Sequence, residues 1–473
     1  MRNKEETDSS AATGPAPKGV LPPWPGVPWL ESGGRGPRIL GINPWIFDFA
    51  AFNLWMRPLG LLACLEMCRQ CGADIALLDC LDQTWRDQNW PKPNKFGAGR
   101  YPKTPLPNPK GLERVPRRFS RYGLDPNQTR TALAKLDPPP DMVLISVSMT
   151  YWFLGAQEAA TMARSLWPSA RIILGGTYAS LCQGHALACG LYDLVLSGPL
   201  ERPDNWNKFW GTLPGRTTIP DLPPRAGLSL ALDLYPAPGY GPVLGSRGCP
   251  FSCDYCAISL LYPGHAQRTG PEVIHEFEAQ LERGARNFAF FDDALLVRPQ
   301  TYLLPLLERA LELNPPVNFH TPNALHLRFL TPEICRRLKR AGLAAPRLGL
   351  ESLDFEHRND RKVSRTDWDQ GGENLVQAGY DPGDVGVYVL FGLPDQDLGQ
   401  VRETIRKIKK REFTPILTHY SPIPGVPLFR RAAQVSPYPI EENPLFQNNS
   451  IWPCYPGGFS WKEKQAWSKL IRG

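Results

Sequence analysis

The spacing Cys-x3-Cys-x2-Cys occurs twice in this chain: as Cys64, Cys68 and Cys71 within LLACLEMCRQCG, and as Cys249, Cys253 and Cys256 within GSRGCPFSCDYC. Three thiolates so spaced can ligate a metal centre or fill a core as small hydrophobes. Context separates the two. The first triplet follows the i, i+4, i+7 stripe of a helix, extended by Leu61 and Leu65. A helix rises about 1.5 Å per residue, so it would spread these sulfurs over about 10 Å of axis; core packing is the expectation. The second triplet follows the strand-like run GPVLGS and is threaded with Gly248, Pro250 and Ser252, so the chain there can wrap around an object. Three thiolates can bind three irons of a four-iron cluster and leave the fourth open, whereas an electron carrier supplies four cysteines. A zinc site completed by a distant fourth ligand is the alternative.

The elements that must hold this loop come in two series. Arg38–Asn43 reads as a strand, Pro58–Gly72 as a helix and Asp74–Asp79 as a strand; Met142–Val147, Arg171–Leu174 and Leu191–Leu196 follow as strands, with a helix at Gly155–Leu166. Short apolar strands alternating with helices argue for a doubly wound parallel sheet, whose ligands sit beyond the carboxyl ends of the strands. Gly175-Gly176 falls at such an end. After a Pro/Gly-containing stretch at 202–236, strands are expected at Gly241–Ser246, Asn287–Phe291, Val317–His320, Arg347–Leu350, Gly386–Phe391 and Ile416–Ser421. Helical patterns lie between them at 271–283, 300–313, 331–341, 367–379 and 397–411. Thr331 before Pro332 is a helix start, and Gly342 and Gly379 are helix ends. The fold class is α/β: a Rossmann-like doubly wound domain followed by a partial (βα)6 TIM-like barrel. The expected divisions are a flexible tail at 1–36, a first domain at 37–215 with an insertion near 91–140, a linker at 216–236, a barrel at 237–435 and a C-terminal cap at 436–473.

Composition narrows the setting. Proline, 51 of 473 residues, is about twice its usual share of roughly 5% and clusters in the first 30 residues and the insertion. The net charge of +7 is partly local, since Lys92 to Arg121 holds nine Lys or Arg against Glu113 alone. That run reads as a solvated loop; nucleic acid is not the expected partner, although an RNA-modifying enzyme reached through it is an alternative. No run reaches the roughly 18 apolar residues that span a bilayer, and the N-terminus lacks a secretory h-region. Eleven cysteines then point to a reducing cytoplasm.

With these residues in view, GCPFSCDYC resembles the signature loop of the radical S-adenosylmethionine (SAM) superfamily, Tyr255 preceding the third cysteine. The resemblance covers roughly 240–435 and implies a 4Fe-4S cluster on Cys249, Cys253 and Cys256. Its open iron would chelate the methionine end of SAM, and reductive cleavage would yield a 5'-deoxyadenosyl radical. By the same resemblance Asp292-Asp293 in FFDDALL stands where the family makes a backbone contact to the methionine amine, usually through Gly-Gly-Glu. Glu351 matches an acidic residue used for the ribose or the amine. Gly392 in VLFGLP and Pro424 in YSPIPG lie in segments that pass the adenine. An external electron donor such as flavodoxin or ferredoxin and a small-molecule substrate are the implied partners.

The N-terminal half resembles the cobalamin-binding domain that precedes a subset of these enzymes, on its strand pattern and on SVSMT (Ser146 to Thr150), GGTYAS (Gly175, Gly176) and SGPLE. It departs in one respect: the Asp-x-His-x-x-Gly loop is absent, the chain reading NPWIFDF after the first strand. Cobalamin would therefore lack a histidine beneath the cobalt, or the domain has kept its fold without the cofactor. The implied reaction is methyl transfer to an unactivated carbon. Cobalamin-independent radical chemistry and a non-catalytic iron–sulfur protein are the other readings. His320 and Asn323 could face substrate, and Arg361 or Lys362 could balance cofactor charge.

Overall fold

The computed structural model describes residues 27–33, 36–83, 90–215, 218–224, 227–236, 238–356 and 362–473. Most of the tail expected at 1–36, and Arg361, lie outside them. In the first domain, β1 (Arg38–Asn43), β2 (Asp74–Asp79), β3 (Met142–Val147), β4 (Arg171–Gly175) and β5 (Leu194–Val195) form one parallel sheet in the order β5-β4-β3-β1-β2. Near-continuous apolar runs make these strands, because helices cover both faces: Ile39, Leu40, Ile42, Val143 and Ile145 are all essentially inaccessible. The helices are α1 (Leu59–Gln70), α2 (Phe153–Leu166), α3 (Gly176–Leu181) and α4 (Pro203–Gly211). The strand order reverses between β1 and β3, which opens a crevice at their carboxyl ends.

The basic insertion folds into short antiparallel ribbons. Ile46–Asp48 and Lys103–Pro105 flank Ser120–Tyr122, and Phe52–Asn53 pairs with Gly99–Arg100. The stretch before the second series is packed, not loose. Leu230, Ala231, Leu232 and Tyr235 are buried, and the Tyr235 hydroxyl donates to Asp79 at 2.7 Å.

The second series holds six parallel strands in two groups of three: β6 (Gly241–Val243), β9 (Asn287–Phe290) and β10 (Asn318–His320), then β11 (Arg347–Glu351), β12 (Gly386–Phe391) and β13 (Thr414–His419). Bridges at Phe319–Leu343 and Leu325–Leu348 join the groups into a partial barrel. The strand expected at Gly241–Ser246 breaks. Gly245 lies against the ring of Tyr302, where a Cβ would overlap it, and the chain turns into β7 (Ser246–Gly248), paired antiparallel with β8 (His265–Gln267). The outer helices are α5 (Ile258–Leu261), α6 (Gly270–Glu282), α7 (Leu303–Leu311), α8 (Pro332–Arg340), α9 (Arg365–Gln377), α10 (Leu398–Lys410), α11 (Phe429–Val435) and α12 (Trp461–Arg472).

The C-terminal part, expected to close one end, ties the domains together. Trp467 of α12 packs on Phe391 in the barrel core, ring centroids 5.0 Å apart. Asn448 donates to Asp48 of the first domain at 2.9 Å, and Arg117 donates to the Ser450 carbonyl at 2.7 Å.

His326 is buried in this assembly, and His320 and His419 are half-buried. Burial, helped by neighbouring cations, pushes His320 and His419 down to about 4 and His326 to about 3. The unfolded chain takes up these protons near pH 6.5 and the folded chain does not, so their share of stability is lost as pH falls from about 6.5 towards 4. Burial raises Asp292 to about 6, which works with the opposite sign in that range, so a variant comparison is the clean test. His419→Phe keeps a ring against Trp452 and is expected to flatten the acid limb of a melting-temperature profile; an unchanged limb refutes the assignment.

Candidate active site

The hairpin β7–β8 closes the loop that carries Cys249, Cys253 and Cys256. It is braced from below. The Ser246 hydroxyl and the Tyr302 hydroxyl both donate to one oxygen of Asp292, at 2.7 and 2.6 Å, and Asp293 accepts from the Gly248 amide at 2.9 Å. Gly248 sits at φ +85°, and a side chain there would strike the Gly264 carbonyl, so the two glycines pinch the loop shut. All three cysteines are half-buried. Burial raises the Cys249 and Cys256 thiols above their usual range; Cys256 also raises Cys249, and Lys362 draws both down.

Among the described residues no three His, Cys, Asp or Glu side chains converge as ligands of a single ion. Thiols set along a wrapped loop suit the separate corners of a polynuclear cluster. A cluster there would have Tyr255 beside it, and Tyr255 shares a cavity with Glu351, Leu393 and Pro394. Glu351 ends β11 at φ +67°, where the register with β12 slips. A left-handed Glu is uncommon and costs on the order of 1–3 kcal/mol, a pattern found at functional sites. Its carboxylate is held by Lys362 Nζ at 3.0 Å.

Other expected site residues fall elsewhere. Asp292 is only 2% exposed and supports the hairpin rather than facing the cavity. The Gly392 amide is taken by Gln396 at 2.7 Å, and Gly392 lines a neighbouring cleft beneath 111–116. Pro424 lines a small cavity with Ser180, Gly198 and Leu261. His320 does not stand open to substrate: Trp55 stacks on it at 4.0 Å with planes 10° apart. Asn323 donates to the Phe291 carbonyl at 3.0 Å, tying two barrel loops together.

A second cleft lies at the reversal point between β1 and β3. Its first-domain wall includes Asn43, Ser146, Gly175 and Gly176, and its far wall is Arg247, Leu261 and Tyr262 of the barrel. Gly176, at φ +86°, lies so close to the Val147 carbonyl that a Cβ would intrude. Thr150 is not on this wall; it is buried in the short turn Thr150–Trp152. Cys64 is, contrary to the core reading of the first triplet, while Cys68 is buried as expected and Cys71 is half-buried near the Asp221 carbonyl. Arg247, two residues before Cys249, reaches across to pair with Glu201 and donates to the Gly227 carbonyl at 2.9 Å. Glu201 ends SGPLE, but nothing in the local sequence marks Arg247 or the pair, because their partnership joins distant segments.

Residues 243–408 match the family model of the Radical SAM superfamily. This is a radical SAM domain. The hopanoid C-2 methylase of Rhodopseudomonas palustris (strain TIE-1) is 27% identical over 139 residues, 26% of this chain and 26% of that protein, so the match spans about a quarter of the curated relative's length. Among solved structures, the radical S-adenosylmethionine methyltransferase TsrM from Kitasatospora setae, with tryptophan substrate and the SAM analogue aza-SAM bound, has a TM-score of 0.59 at 16% identity, over 84% of this chain and 76% of that one. Its form with cobalamin and a 4Fe-4S cluster gives 0.58 at 16%, over 85% and 76%. At that identity the likeness establishes a shared fold, from the doubly wound sheet through the barrel. The matched segment carries the three-cysteine loop, which with its adjoining cavity fits a 4Fe-4S cluster and SAM. No helix among the described residues is long and apolar enough to cross a membrane.

Proposed function

We propose that this radical SAM enzyme cleaves SAM reductively at a cluster on Cys249, Cys253 and Cys256, and that the cleft at the β1/β3 reversal holds cobalamin for methylation of an unactivated carbon in a small molecule. The observation that carries this reading is the shared wall: one cleft is bounded by the strand ends of the doubly wound sheet and by Arg247, Leu261 and Tyr262, which flank the cysteine loop on either side. The relative and the solved neighbour are a methylase and a methyltransferase by name, which supports the same chemistry.

With cluster and SAM bound, one electron would break the sulfonium C–S bond to give methionine and a 5'-deoxyadenosyl radical; cobalamin, when bound, would supply a transferable methyl group. The chain's own part is placement. Tyr255 and Glu351 line the cavity beside the loop, where the Glu351 carboxylate, held by Lys362, offers an acceptor to an amine or ribose hydroxyl. Gly175 and Gly176 keep the cleft wall free of side chains so that a large ligand can approach the backbone. Arg57 lies between the rings of Tyr235 and Tyr240, 3.8 and 4.6 Å away, and pairs with Asp82 at 2.8 Å, which stiffens the floor where the domains meet.

The test is anaerobic reconstitution with iron, sulfide and hydroxocobalamin. The expected results are a reduced-cluster EPR signal that changes when SAM is added, 5'-deoxyadenosine formed on reduction, and a corrin spectrum that stays with the protein through gel filtration. An EPR signal indifferent to SAM, with no 5'-deoxyadenosine, defeats the catalytic reading; loss of corrin alone defeats the cobalamin reading. Gly176→Val is expected to weaken corrin retention about tenfold, since a left-handed position costs a side chain roughly 1–2 kcal/mol, while leaving iron content unchanged.

A further inference from the structure

The ribbon that joins Phe52–Asn53 to Gly99–Arg100 has a composition that the proposed chemistry does not use. Phe52 and Leu54 are 49% and 43% exposed, and Phe52 lies directly across from exposed Arg100. Lys92 and Lys95, also exposed, belong to the same short stretch: Gly99 lies against the backbone of Lys92 and Pro93, and Lys95 sits over the Phe96 ring at 4.8 Å. Segments 50–57 and 90–112 contain no Asp or Glu. Single exposed apolar side chains are ordinary on a protein surface. A Phe and a Leu among three exposed cations, on two segments that carry no acid of their own, are a different matter.

We infer that this ribbon docks the enzyme on an anionic membrane surface, Phe52 and Leu54 entering the headgroup boundary while Lys92, Lys95 and Arg100 meet lipid phosphates. Peripheral attachment combines these two ingredients, buried apolar area and attraction to anionic lipid. A polyanion such as RNA would engage the cations and leave the Phe and Leu in water. The ribbon is also part of the barrel's edge. Trp55, at φ +61°, donates its indole N–H to the Phe96 carbonyl at 2.7 Å, and both rings lie on His320 of β10. Docking through this ribbon would set the open side of the barrel against the bilayer. The inference stands apart from the cofactor assignment, because it requires neither cluster nor corrin.

Co-sedimentation of the full chain with vesicles tests it. The protein is expected to bind mixed phosphatidylcholine–phosphatidylglycerol vesicles, to ignore phosphatidylcholine alone, and to be released by raised salt. Each cation near an anionic surface is worth about fivefold in partition, so Lys92→Gln with Lys95→Gln should weaken binding roughly twentyfold. Phe52→Ser with Leu54→Ser should weaken it at unchanged salt sensitivity. Arg406→Gln with Lys407→Gln, exposed on α10, should leave it intact. Circular dichroism of each variant establishes that it is folded. Equal binding to neutral vesicles, no binding to anionic ones, native binding by the ribbon variants, or binding to RNA in place of vesicles each overturns the proposal.

Discussion

Replacing Cys249 by Ala is expected to cost the protein its cluster and with it all SAM cleavage above background. Three thiolates would hold three irons, so losing one leaves two to hold the cluster. Disturbing groups that merely orient a metal ligand costs about 10–100-fold in affinity; removing a ligand outright is expected to exceed about 100-fold. Cys249 is half-buried in a loop, so the fold should survive, with stability within about 1 kcal/mol of the parent. Iron and sulfide per chain, the EPR signal of the reduced protein, and 5'-deoxyadenosine are the readouts, with circular dichroism as the control. Native iron content, or one zinc per chain in the parent, would show that the loop serves some other metal chemistry. Cys68→Ala, in the buried helix, should instead lower stability and leave iron untouched.

The two triplets show what the residues themselves disclose. Gly248, Pro250 and Ser252 forbid a helix through the second triplet, and the strand before it sets its place at a barrel mouth; both facts are local and readable. The α8 start was legible for the same reason, since Thr331 accepts from the Ile334 amide at 3.3 Å and Pro332 needs no donor. Cys64 was read into the core because helical period reports one face, and the cleft over that face is made by a second domain. The hairpin β7–β8 was missed because three-residue strands carry no period. Helix α12 had a usable signal, Ser460 followed three residues later by Glu463, and Ser460 does cap that helix. It was obscured by Pro453, Pro456 and a Gly pair that suggested irregular chain throughout. The part played by the Asp292 side chain is not legible, because a carboxylate at a strand end looks the same whether it faces a ligand or supports a turn; only the hydroxyls of Ser246 and Tyr302 disclose the support.

That support leads to the second large effect, at a residue with no side chain. Gly245→Ala would place a methyl group in the ring of Tyr302, which is fully buried in the barrel core. Overpacking of this kind costs about 1–3 kcal/mol. If Tyr302 moves aside, its hydroxyl leaves Asp292, a buried carboxylate that then keeps the Ser246 hydroxyl, for about another 1–3 kcal/mol. The sum, about 2–6 kcal/mol, is large against a typical folding free energy of about 5–15 kcal/mol. Tyr302→Phe separates the two parts, since it keeps the ring and removes only the hydroxyl; it should cost about 1–3 kcal/mol. Both variants should also lower iron incorporation, because β7 leads straight into Cys249, and Gly245→Ala should do so more. Apparent melting temperature and iron per chain measure the order. A Gly245→Ala protein as stable and as iron-replete as the parent would mean that the cysteine loop is held in place by something other than the Tyr302–Asp292 brace.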